Sequence, residues 1–138
     1  MAETAEFLCV DAVVFGRRAM GESLKQARFL DRWRIRRGGR LIHADALRFE
    51  GGIAAMLERP AVARGAAAMA TILLVAEHCD VKLDAVRVCL GEQGAASAFN
   101  GKFLARIAAD DSYALRKILS PALECLMGDR PLPRVWAI

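Results

Sequence analysis

Three carboxylates stand where a charge needs a reason. Asp11 lies in the apolar run EFLCVDAVVF, Glu22 closes the segment GRRAMGE, and Asp45 sits in the basic stretch DRWRIRRGGRLIHADALRF. A carboxylate set among valines or arginines is either paired with a cation or functional, because an unpaired buried charge takes up a proton instead. Arg17, Arg18 and Arg32 are the partners the sequence offers for pairing. Catalysis has little else to draw on. There is no phosphate-binding P-loop, no HExxH zinc motif and no GxSxG nucleophile elbow, and two histidines are all that acid–base work could use, so the chain reads as a non-enzyme. Cys9, Cys79, Cys89 and Cys125 fall at irregular spacings without a CxxC, which argues for reduced core thiols and against a closed metal site. His78 and Cys79 are neighbours in sequence, and adjacent side chains diverge on strand and helix alike.

The elements that must hold these residues follow from alternation, turns and caps. With 138 residues and 55% hydrophobic content, residues 1–138 read as one globular domain. EFLCVDAVVF is a strand. A second strand runs from about Leu24 to Arg37, and Gly38-Gly39 supplies the positive φ values of a two-residue hairpin turn. If Arg37 pairs with Arg40, alternation sets Ile35 opposite Ile42 and Trp33 opposite Ala44 on a core face. It then sets Arg36 opposite Leu41, Arg34 opposite His43 and Arg32 opposite Asp45, an ion pair, on the other. GGIAAMLERPAVARG reads as a short helix broken at Pro60, and AAAMATILLVAE as a buried strand, with a helix as the alternative its alanines leave open. Asp80 is the expected N-cap of a helix ending at Gly91, and Asn100-Gly101 marks a second hairpin. A last helix starts at the N-cap Asp111, carries Leu115, Ile118, Leu119, Ala122 and Leu126 on one face, kinks at Pro121 and stops at Gly128. Two prolines make the tail extended, with Trp136 packed back on the body. The fold class is α+β, mostly β: antiparallel hairpins with two or three helices.

Charge is unevenly spread. Residues 17–48 hold ten of the twenty bases against three acids, a local +7 that leaves −3 for the remainder. Alternation gathers Arg32, Arg34 and Arg36 on one face, as a half-solvated ribbon does even without a ligand. Those arginines suit docking of a protein partner better than nucleic acid, since Trp33 falls on the opposite face from them. No run approaches the length of a membrane helix, and the first residues lack an export signal, so a cytoplasmic location without membrane attachment is expected.

Two stretches identify a family. FLCVDAVVFGRRAMGE, with Asp11, Gly16, Arg17, Gly21 and Glu22, and the ending PLPRVWAI, with Leu132, Pro133, Arg134 and Trp136, resemble the urease accessory protein family UreD, also called UreH. The resemblance covers Glu6 to Ile138 and corresponds to the C-terminal half of the family's proteins, whose N-terminal half is absent from this chain. It implies stacked β-sheets and a non-enzymatic maturation scaffold that binds apo-urease and links it to UreF and to the GTPase UreG. It further implies nickel in transit and no tightly bound cofactor. A conduit for nickel needs sparse oxygen and imidazole ligands, not a closed cage. Asp11 and Glu22 fall on motif positions of the family, while Asp45 and His43 come from the hairpin register. A truncated fragment without function of its own, or a basic nucleic-acid-binding module, are the alternatives that the residues leave open.

Overall fold

A computed structural model describes residues 5–14, 27–51 and 67–136. Six strands and two α-helices are built from them: β1 (Phe7–Val14), β2 (Ala27–Arg37), β3 (Arg40–Gly51), β4 (Ala68–Val75), α1 (Leu83–Leu90), β5 (Gly94–Phe99), β6 (Lys102–Ala109) and α2 (Ser112–Met127). The α+β, mostly β class holds. Strands β1, β4, β6 and β5 form one antiparallel sheet in that order, and β2 and β3 form a separate two-stranded ribbon.

Alternation along β4 and β6 divides the sheet into two unlike faces. Ala68, Ala70, Ile72 and Leu74 of β4, with Phe103, Ala105, Ile107 and Ala109 of β6, pack against Val86 and Leu90 of α1 and Leu115, Leu119, Leu123 and Leu126 of α2. The intervening Leu73 and Val75 are buried too, on the opposite face. Over that second face lies the ribbon. Arg37 donates to the carbonyl of Ala5 at 3.0 Å, and Asp31 and Trp33 meet Asp11, which puts β2 above β1. Lys102 donates to the carbonyl of Ile42 and Arg106 pairs with Asp45, which puts β3 above β6. The ribbon therefore runs along the strands beneath it, an aligned stack of two sheets with helices closing the other side.

Local signals set both turns. Gly38 and Gly39 have φ of 55° and 78°, and Asn100 and Gly101 have 50° and 71°, the left-handed pairs that two-residue hairpins require. At the start of β5 a Cβ on Gly94 would stand 2.7 Å from the carbonyl oxygen of Arg106, so only glycine lets β5 lie this close to β6. Helix α2 begins where expected: the Asp111 carboxylate accepts from the amide of Ala114 at 2.7 Å, and Gly128, at φ 61°, ends it.

Three expectations need correcting. The helix near Asp80 starts later: Cys79–Lys82 form a 3-10 turn that contains Asp80, and α1 follows from Leu83 with no side-chain cap. The tail is not wholly extended, since Arg134–Trp136 form a single 3-10 turn. The ribbon register shifts. Arg37 pairs with Arg40 and Arg36 with Leu41, but a bulge between Ile35 and Arg36 leaves Ile42 without a partner. Ile35 then faces His43, Arg34 faces Ala44, Trp33 faces Asp45 and Arg32 faces Ala46. One extra residue moves every later side chain of β3 to the other face. Pro121 lies inside a helix that continues to Met127. Gly16, Arg17, Gly21, Glu22 and the segment around Pro60 lie outside the described residues.

Candidate functional site

The shifted register fills the space between ribbon and sheet with polar groups. Asp31, Trp33 and Ile35 alternate on the inner side of β2, and His43 and Asp45 join them from β3, all half-buried. From the sheet come Asp11 of β1 and Lys102 and Arg106 of β6, with Thr71 lying between Asp11 and Arg106 across the strands. Two clusters result, separated by the width of β4.

At the β1 side, the Asp11 and Asp31 carboxyls face each other. Hydrogen bonding with Asp31, followed by burial and the Asp31 charge, pushes the Asp11 carboxyl up to about 6, and hydrogen bonding with Trp33 opposes the rise. Cys9 lies close by, and burial together with Asp11 and Asp31 raises its thiol, keeping it protonated. A carboxyl raised in this way gives up its proton at about 6 and can exchange it for another cation.

At the β6 side, Asp45 is a paired carboxylate. Its Oδ2 accepts from Arg106, and its Oδ1 accepts from the amide of Ala46 at 3.0 Å. The Arg106 hydrogen bond holds its pKa below the usual carboxylate value. Arg106, not Arg32, is thus its ion-pair partner, because the bulge turns Asp45 inward. His43 is lowered by burial and by Lys102, so it is the neutral imidazole that is favoured, and its Nε2 is buried without a hydrogen-bond partner among the described residues.

Arg32, Arg34 and Arg36 are exposed on the outer side of the ribbon, where alternation put them. Leu132 and Trp136 pack at the edge of the helical core. The Trp136 carbonyl accepts from Ser120 Oγ at 3.2 Å, and the Arg116 guanidinium stands 5.5 Å from the Trp136 ring centre. Pro133 accepts from the Trp136 amide at 2.9 Å, and Arg134 is exposed in the same turn. All four cysteines are free, and His78 is exposed beside the buried Cys79, the two side chains going separate ways. Among the described residues no three histidine, cysteine or acidic side chains come together as a metal site.

Sequence reasoning missed Asp31, Lys102 and Arg106. Asp31 was visible in principle: it precedes Trp33 and Ile35 at two-residue spacing, so it had to point inward with them. Nothing local marks Arg106 as the partner of a residue on another sheet.

The architecture is that of a layered, β-rich protein with a polar seam between two stacked sheets. Comparison with known proteins is specific. The family model described as UreD urease accessory protein matches residues 1–137. The urease accessory protein UreD of Rhizobium etli is 50% identical over 135 residues, covering 97% of this chain and 50% of that protein. Its namesake in Rhizobium johnstonii is 49% identical over the same coverage, and that of Brucella suis is 47% identical over 142 residues, 100% of this chain and 51% of its own length. The chain belongs to the UreD urease accessory protein family, and it spans about half the length of the curated relatives it matches.

Proposed function

We propose that the chain acts in urease maturation as a non-enzymatic scaffold in the cytoplasm, binding apo-urease and linking it to UreF and the GTPase UreG while nickel passes toward the urease site. The observation that carries this reading is the match of essentially the whole chain to UreD proteins at about half identity. The seam supplies chemistry that suits the nickel part. Asp11 and Asp31 offer facing oxygen donors, the Asp11 carboxyl being raised to about 6, and His43 keeps an imidazole nitrogen without a partner among the described residues. These are the few, weak ligands that a cation in transit needs, with no cofactor held tightly. Asp45 contributes less, since Arg106 already occupies it. Glu22 retains its motif-based candidacy. Arg32, Arg34 and Arg36 on the outer face are the candidates for partner contact.

The test pairs two measurements on Asp11→Ala in the full-length protein: capture of UreF and UreG, and nickel per urease active site. The expected result is an intact complex with urease that is poor in nickel. Normal nickel loading would remove Asp11 from the route, and loss of the complex would make its role structural.

A further inference from the structure

Between the Gly38-Gly39 and Asn100-Gly101 turns lies an open cleft of about 760 Å³ whose described lining shares Lys102 with the polar seam but none of the seam's carboxylates. Its charged lining among the described residues is wholly cationic: Arg37, Arg40 and Lys102. Arg37 spends one Nη on the Ala5 carbonyl, and its Nε is buried without a partner among the described residues. The Arg40 side chain makes no hydrogen bond or ion pair among the described residues. Lys102 donates to the Ile42 carbonyl, whose residue the bulge has released from the strand ladder. Three cations with no carboxylate between them repel one another, and an anionic occupant would offset that cost.

The rim narrows the class of occupant. Leu41 lines the cleft at 44% exposure, and Phe99, paired with Lys102 in the second hairpin, is 53% exposed. Apolar side chains alternating with cations complement a polypeptide whose acidic residues are interspersed with apolar ones. Nucleic acid would want the aromatic face for stacking, but the Lys102 ammonium sits 4.7 Å from the centre of the Phe99 ring and covers it.

We propose that this cleft docks an acidic, leucine-bearing segment of a partner protein, with Arg37 and Arg40 taking carboxylates and Leu41 taking an apolar side chain. It gives the docking role of the ribbon a definite site and does not depend on the nickel route. The test titrates the 138-residue chain with a labelled glutamate-rich peptide carrying interspersed leucines, its glutamine counterpart, and mixed-sequence single-stranded DNA. Arg40→Glu should weaken peptide binding at least about tenfold, and Arg40→Gln should weaken it less. Lys117→Glu makes the same charge change on the exposed side of α2 and should shift binding by no more than about threefold. The glutamine peptide should bind far more weakly than the glutamate one. Absence of peptide binding, equal losses for Arg40→Glu and Lys117→Glu, or a preference for DNA would each overturn the proposal. If Arg40→Glu melts early, the glutamine variant and the glutamine peptide still decide it.

Discussion

The two faces of the four-stranded sheet are covered in opposite ways. Toward the helices, Phe103, Ile72, Ile107, Leu119 and Leu123 are sealed from water with no charged group among them. Toward the ribbon, Leu73 and Val75 form an apolar floor, but Asp11, Asp31, His43, Asp45, Lys102 and Arg106 surround it. Apolar burial contributes about 25 cal/mol per Å² regardless of pH or salt, whereas a partly exposed pair such as Asp45–Arg106 contributes about 1 kcal/mol at most. Stability is therefore concentrated on one side and adjustable chemistry on the other.

Phe103→Ala strikes the dry face where no relaxation toward solvent is open to it, and a loss of about 4 kcal/mol is expected in urea unfolding. A loss under about 1 kcal/mol would mean that the helices do not carry the fold. Trp136→Ala tests the edge of the same layer. Its ring is half-buried against α2, so the expected cost is smaller, about 2 kcal/mol, with earlier thermal unfolding. An unchanged melting curve would detach the tail from the core.

The smallest effect belongs to the seam and is read as a pH slope. Because the folded state raises Asp11, the native protein holds that proton more tightly than the unfolded chain does. The stabilisation is complete below the ordinary value of about 3.8 and is lost as pH rises through about 6. Asp31→Asn removes the like charge that causes part of this, so the decline in urea midpoint between about pH 4 and about pH 6 should be shallower in the variant than in the parent. Parallel profiles would show that Asp31 does not raise the Asp11 carboxyl.

The contrast between the faces also explains what could be read from sequence. Features set by neighbouring residues were legible: both two-residue turns, the Asp111 cap, the Gly91 and Gly128 stops, and the apolar run that becomes β4. The helical face shares in that legibility, because Leu115, Leu119 and Leu126 announce their side by spacing alone. The seam does not. Turn chemistry fixes Arg37 opposite Arg40 and Arg36 opposite Leu41, and then the bulge at Ile42 breaks the count. The contacts that go with the bulge lie in another sheet, where Lys102 donates to the Ile42 carbonyl and Arg106 pairs with the inward-turned Asp45. The arginines of β2 stayed on the predicted face because the extra residue is in β3. The α1 cap failed for a local reason: a 3-10 turn intervenes, and Asp80 is spent inside it.

Strand order has a kinetic side. From β4 onward the chain builds β4, α1, β5, β6 and α2 from neighbours, so the helical layer closes through short loops. Strand β1 is different: 53 residues separate Val14 from Ala68, and β1 has no partner among the described residues except β4. On a growing chain β1 is made before the ribbon and β4 and pairs only after both. Closing so long a loop costs conformational entropy before any contact offsets it, which makes docking of β1 slow. The Asp11–Asp31 pair can assemble only after that step, and a chain stalled before it would expose the edge of β4 that β1 covers to any other strand at hand.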